Sequence, residues 1–274
     1  MMMTWVPRDI TDEYPAIPRT RFSFRGRDVE GPGISIWAEH VLAHEPMVLP
    51  LADDLSMEDT AIIGCATVTG VGAVLGSAKV QPGNTVAVFG IVVVVINVLA
   101  GAQIAEARRI IAIDLNDEKL EFAKEFGATD VINASEVDPV ETVKDFTGGG
   151  VDFAFDAIGA EVTLHQIVEV AKPGRLGASR GGTAVIVGVS QGPITIPQGL
   201  FPLGERHLIG SLGGSSHPVA DYPQYLEWYR EGALPPDKMV TKKCQSLDEI
   251  NEGVRALAAG EISGRSVIVY KRPE

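Results

Sequence analysis

The chain has 274 residues, enough for one large or two modest domains, and 45% of them are hydrophobic, which suits a globular protein with a real core. Its formal net charge of −13 excludes the basic footprint that nucleic-acid binding requires and speaks for solubility. With only Cys65 and Cys244, it has neither a disulfide framework nor a four-cysteine zinc lobe, and a cytoplasmic, reducing setting is expected.

Residues 1–31 are rich in Arg, Asp, Pro and Gly and show little periodicity, so they read as disordered or loosely attached. Their opening, MMMTWVPRDITDEYP, lacks a charged start followed by an apolar stretch, and no secretory leader is read there. ISIWAEHVLA and MVLPL, within 34–51, suggest two short strands. Ser56 with Asp59 three residues on predicts a capped helix over 59–65. A Gly/Ala-rich helix over 69–78 should pack closely against a neighbour.

From residue 85 the pattern alternates. Strands at 86–89, 109–113, 130–132, 152–156 and 183–187 are separated by helices at 94–105, 117–126, 139–147 and 161–171. Gly127, Gly148 and Pro173-Gly174 end three of those helices. A strand near Leu208 and Leu212 and a helix over 222–231 follow. Strand 239–244, helix 247–258 and strand 266–270 fall outside the alternating core. This order predicts an α/β fold with right-handed crossovers, a Rossmann-type doubly wound parallel sheet. The expected domains are 33–80 as part of a second domain, 81–238 for dinucleotide binding, and 239–274 returning to the second domain. Residues 85–105 carry no charge and are long enough to span a bilayer. A buried parallel strand running into a buried helix gives the same signal, and Gly90 inside the run favours that reading; no membrane is expected.

Residues 86–114 carry the most chemistry. VAVFGIVVVVINVLAGAQIAEARRIIAID reads as strand, tight turn, helix, strand and acid, the layout of a dinucleotide-binding βαβ unit. Gly90 fills the first glycine position of the G-x-G-x-x-G spacing, but Val92 and Val95 fill the other two, with Val93 between them. Those glycines serve the turn, the close approach of pyrophosphate, and the packing of helix on strand. Val92 is expected to push pyrophosphate away and Val95 to push the helix off its strand, an overpacking cost of about 1–3 kcal/mol. Replacing a glycine that needs positive φ should add strain of similar order. The alternative is a turn that relaxes while the apolar helix still packs; the fold should survive and affinity should suffer. Asp114 is placed to accept a ribose hydroxyl of NAD and to repel the 2′-phosphate of NADP, or simply to cap a turn. Lys119, one turn into the next helix, either reaches the adenosine side or is a solvated lysine.

From about residue 34 to Tyr270 the chain resembles the zinc-type alcohol dehydrogenases of the medium-chain dehydrogenase/reductase superfamily, in particular the branch with mycothiol- or glutathione-linked formaldehyde dehydrogenases. The residues that carry the resemblance are Gly64-Cys65 with Thr69-Gly70, KVQPGNTVAVFG, IIAIDLNDEKLEFAKEFGATDVIN, Phe155-Asp156-Ala157-Ile158-Gly159, GGTAVIVGV and SGRSVIVY. The resemblance implies a partial GroES-like catalytic domain, NAD and zinc as cofactors, and hydride transfer with a primary alcohol or thiol hemiacetal. It implies Cys65 as a zinc ligand, Thr69 beside the nicotinamide, and Asp114 and Lys119 at the adenosine ribose. It also implies Ile158 and Gly159 in a loop over the cofactor, Val187, Gly188 and Val189 at its carboxamide, and Arg265 near the pyrophosphate. The strand near Leu208 and Leu212 is implied as a homodimer edge, with no nucleic-acid partner.

Two departures stand beside the resemblance. Such enzymes carry about a hundred further N-terminal residues, by the ordinary size of a catalytic domain. That part bears a Cys and a His/Glu pair of the zinc site, whereas residues 1–31 contain neither Cys nor His. His40 and His44 read as surface residues. With the valine-filled turn, this predicts a truncated copy that is impaired or inactive. A zinc-free quinone-reductase-like enzyme and a non-catalytic dimerising module are the alternatives; Asp114 disfavours the NADPH preference of the first.

Overall fold

The computed structural model describes residues 2–3, 19–32, 41, 43, 45–189, 192–246, 248–259, 261–262 and 264–270. They belong to two compact units, Met1–Ala66 with Ser216–Glu274, and Thr67–Ser215. The boundaries fall at 66/67 and 215/216 rather than at the expected 80/81 and 238/239. The helix after Thr67 belongs to the second unit, where Gly70 lets its backbone touch the helix that follows the first sheet strand.

In the first unit a short strand β1 (Met2–Met3) is followed by a hairpin of β2 (Arg19–Phe24) and β3 (Arg27–Pro32), and β4 (Val48–Leu49) pairs antiparallel with β1. The hairpin corrects the reading of 1–31 as disordered for residues 19–31, while 4–18 lie outside the described residues. Arg25 and Gly26, at φ 51° and 73°, form a two-residue turn with positive φ at both positions, whose twist matches the right-handed twist of the paired strands. The strand expected in ISIWAEHVLA lies mostly outside the described residues. Helix α1 (Met57–Thr60) has the expected cap, with Ser56 Oγ accepting the Asp59 N–H at 3.3 Å. The helical run continues through a π-helical turn at Ile63–Thr67.

The second unit opens with α2 (Val68–Gly72) and a π-helical turn at Ala73–Ala78. By length and composition the run Met57–Ala78 is apolar enough to cross a membrane, but 61% of its apolar window is buried inside the protein, as in a core helix. Next come β5 (Thr85–Phe89), α3 (Val93–Ile104), β6 (Arg109–Asp114), α4 (Asp117–Lys124) and β7 (Asp130–Asn133). They are followed by α5 (Pro139–Thr147), β8 (Phe153–Asp156), α6 (Glu161–Val170), β9 (Thr183–Ile186) and β10 (His207–Gly210). The six strands form one parallel sheet in the order β10-β9-β8-β5-β6-β7. The chain runs outward from β5 to β7, then crosses to β8 on the other side. The order therefore reverses between β5 and β8, which makes a crevice at the carboxyl ends of those strands.

Local chemistry fixes the ends of these elements. Asp138 accepts the Val140 and Glu141 N–H groups at the start of α5, Pro139 sits in its first turn, and Gly148 ends it at φ 71°. Asn116 caps α4 through the Lys119 N–H at 3.2 Å. Alternate residues of β5, β6 and β8, among them Phe89, Ile111 and Ala154, meet Val143, Leu164 and Ile167 in one buried cluster. The first unit resumes with α7 (Pro218–Arg230), α8 (Pro236–Met239), β11 (Val240–Cys244), α9 (Asp248–Ala258) and β12 (Arg265–Ile268). Strands β11 and β12 pair in parallel. Helix α7 starts four residues earlier than expected, because Pro218 opens it and Asp221 accepts the His217 N–H at 2.6 Å.

At the amino-terminal end of the sheet, Asp152 ties β5 to β8. Its Oδ2 accepts the Thr85 N–H at 2.7 Å and the Thr85 hydroxyl at 2.8 Å, and its Oδ1 pairs with the Lys172 ammonium. Burial pushes the Asp152 carboxyl up, but the bonds from Lys172 and Thr85 outweigh it and hold it below its ordinary value. A lowered folded pKa stabilises the fold above the unfolded value of about 3.9, and that contribution is lost as pH falls through the folded value. Asp152→Asn is expected to cost about 1.5–3 kcal/mol in urea unfolding at neutral pH. The gap to the parent protein should close in strong acid; a gap that persists there would show that the carboxylate charge is not its source.

Candidate functional site

The site begins with the turn that ends β5. Gly90 is at φ 82°, and its N–H donates to the Ile113 carbonyl at 2.7 Å. The next N–H, of Ile91, donates to Asp114 Oδ2 at 2.6 Å. Val92 is extended, at φ −122° and ψ 167°, and α3 starts at Val93. The expected positive-φ strain at the valines is therefore absent, since Gly90 takes the left-handed position itself and the valines adopt angles open to any residue. The side chains of Val93 and Val95 are buried, and only Val92, 40% exposed, stands at the surface. Nor does Val95 lift α3 off its strands, since the helix packs on both β5 and β6. On α2, a Cβ at Gly70 would lie 2.4 Å from the Val94 carbonyl oxygen, so the chain keeps its closest helix approach there.

No side chain caps α3, because Val92 has no acceptor. The N–H groups of the first helical turn have no partner within the helix, and together they carry partial positive charge. Asp114 is beside them. Its Oδ1 accepts the N–H groups of Leu115 and Asn116 at 2.8 and 3.0 Å while Oδ2 holds Ile91. A carboxylate has about four acceptor positions, so three are filled and one is left for a ligand hydroxyl. The structure shows the turn-cap reading of Asp114 and leaves one acceptor position open beside it. Lys119 lies half-buried in the first turn of α4.

Across β5, the loops after β8 and β9 close the crevice. Ile158 is 46% exposed, and its side chain lies over Gly90: a Cβ there would be 2.2 Å from it. Gly159 is buried at φ 78°. A Cβ at Gly188 would be 2.6 Å from the Gly159 nitrogen, so the two loops touch through bare backbone. Val187 and Gly188 are half-buried and Val189 is exposed. Thr69 is half-buried in α2, next to the Gly70 contact with α3. These residues share the second unit, whereas Cys65 and Arg265 belong to the first. Sequence reasoning passed over Asp156, whose wholly buried carboxylate bonds to the loop after β8. The available signal was an acid ending a strand with a glycine three residues on.

A catalytic zinc needs three protein ligands. Cys65 is exposed and free, and among the described residues no three His, Cys, Asp or Glu side chains come together. His40 and His44 lie outside the described residues. The described donors therefore do not fit a zinc ion. The dinucleotide features do fit: a left-handed glycine, an uncapped helix start, and a carboxylate with one free position. Gly90→Ala should destabilise the protein by about 1–3 kcal/mol from backbone conformation alone. Adding Ile158→Ala should recover only the part due to the side-chain clash, as read by thermal unfolding; full recovery would place the whole cost in that clash.

Residues 94–231 match the zinc-binding dehydrogenase family. The S-(hydroxymethyl)glutathione dehydrogenase of Haemophilus influenzae is 35% identical over 255 residues, covering 92% of this chain and 65% of that protein. The protein of the same name from Escherichia coli O1:K1 is 36% identical over 255 residues, covering 92% of this chain and 67% of its own length. Among solved structures, benzyl alcohol dehydrogenase from Acinetobacter calcoaceticus superposes with a TM-score of 0.80 at 30% identity, covering 87% of this chain and 64% of that one. The chain thus spans about two thirds of the length of these relatives, and over that span it belongs to the zinc-binding dehydrogenases, the zinc-type alcohol dehydrogenases of the medium-chain dehydrogenase/reductase superfamily.

Proposed function

We propose that this chain is an NAD-linked oxidoreductase of the alcohol and aldehyde class whose hold on the dinucleotide is weakened at Val92. One observation carries the reading: the uncapped start of α3 opens at the crevice between β5 and β8, beside Asp114. A diphosphate satisfies orphan N–H groups at a helix start and is favoured by the helix dipole. Asp114 takes one ribose hydroxyl and repels a 2′-phosphate, which favours NAD over NADP. Ile158 and Gly159 cover the middle of the dinucleotide, and Val187, Gly188 and Val189 border its nicotinamide half. Bound NAD supplies the hydride acceptor, and the chain supplies position and exclusion of water. The names of the matched relatives support a primary alcohol or a thiol hemiacetal as substrate.

The exposed Val92 side chain adds branched carbon where a diphosphate approaches, which supports an impaired or inactive enzyme. Val93 and Val95 are turned into the core and obstruct less than the sequence suggests. Two free cysteines suit a reducing cytoplasm. Strand β10 pairs only with β9 among the described residues, and Leu212 beyond it is exposed, which supports a second copy of the chain at this edge.

Titration calorimetry tests the reading. Wild type should bind NAD weakly, and Val92→Gly should tighten binding about tenfold, equivalent to about 1.4 kcal/mol. Val95→Gly should bring no such gain and should cost about 2–4 kcal/mol of stability from a core cavity and a helical glycine. Equal, tight NAD binding by wild type and Val92→Gly would overturn the steric account. NADPH binding as tightly as NADH would overturn the role of Asp114.

A further inference from the structure

Asp156 ends β8 and is 0% exposed. Its Oδ2 accepts the Gly159 N–H at 2.8 Å and its Oδ1 the Ile158 N–H at 3.3 Å. Its main-chain carbonyl accepts the N–H groups of Val187 and Gly188, at 2.8 and 3.0 Å. One residue therefore holds the first residues of two loops, through its carboxylate on one side and its peptide on the other. The loops touch where Gly188 has no side chain, and Ile158 reaches from them onto Gly90. A buried carboxylate is costly unless its acceptors are filled, and here backbone N–H groups fill them. That cost gives the arrangement one stable geometry: losing either N–H bond strands charge in the interior.

We propose that Asp156 is the positioning residue of the crevice, locking the loops after β8 and β9 so that the nicotinamide half of a dinucleotide meets a preformed wall. The inference rests on the NAD reading above and deepens it. The sheet order separates the two halves of the site: Asp114 stands on the β6 side of β5, and the two loops stand on the β8 and β9 side. Asp156 therefore acts on one half of the ligand. Asn at this position keeps the size but has one acceptor atom, and its amide faces an N–H group donor to donor.

The test uses the whole chain and three measurements. In unliganded wild type, the amides of Gly159, Val187 and Gly188 should exchange with solvent as slowly as those of neighbouring β8 and β9; exchange at open-loop rates would overturn the proposal. In Asp156→Asn, exchange at Ile158 and Gly159 should rise at least tenfold with the rest of the sheet unchanged. NAD should then bind about tenfold more weakly while AMP, which meets only the Asp114 side, changes less than twofold. Equal weakening of AMP and NAD would assign Asp156 a merely structural role and overturn the proposal, as would unchanged loop exchange. If Asp156→Asn does not fold, Gly188→Ala separates the same loops with Asp156 intact and should weaken NAD but not AMP; no such contrast would overturn it. Slow loop exchange in a wild type that binds neither nucleotide would support the lock and overturn the NAD reading instead.

Discussion

The pair of hydrogen bonds leaving the β5 turn governs the site. The Gly90 N–H reaches the Ile113 carbonyl, and the Ile91 N–H reaches the Asp114 carboxylate. Together they fasten the end of β5 to the end of β6 and set where α3 begins. Only a glycine adopts the left-handed angle at position 90 without strain, and only there does the loop after β8 have room to place Ile158. The uncapped helix start, the Asp114 carboxylate and the loop over Gly90 all take their places from that turn.

The valines show how a motif is read too literally. The glycine pattern predicts disturbance at Val92 and Val95, but the backbone of this turn takes a left-handed angle only at Gly90. Val92 takes an ordinary extended angle, and Val93 and Val95 join the core. Their methyl groups are accommodated while α2, through Gly70, keeps the helix approach tight. What survives of the steric argument is one exposed side chain at the crevice mouth.

The parallel sheet was legible because buried strands and capped helices leave strong local marks. The helix over 139–147 follows from Asp138, Pro139 and Gly148, each acting within a few residues. The hairpin at residues 19–32 was not legible, since its composition resembles a solvated segment and its turn depends on Arg25 adopting a left-handed angle. The helix read over 222–231 begins four residues earlier, since Pro218 sits in the first turn of α7, where its missing N–H costs nothing. In the site, Asp114 was visible from its spacing after the turn. Asp156 carried only a weak local mark, an acid at a strand end with a glycine three residues on, because the rest of its role depends on the loop after β9, some thirty residues on, folding against the loop after β8. Zinc ligation belongs to the family, but ligands from distant segments leave no local pattern, and the described residues gather no such set.

The central claim is that bare peptide N–H groups at the start of α3 still receive a diphosphate although a valine precedes them. Amide chemical shifts of Val93, Val94 and Val95, followed while NAD is added, test this most directly. The account predicts saturable shifts at these three amides together with Gly159. Saturating NAD that leaves them unmoved, or that perturbs residues only elsewhere in the chain, would contradict it.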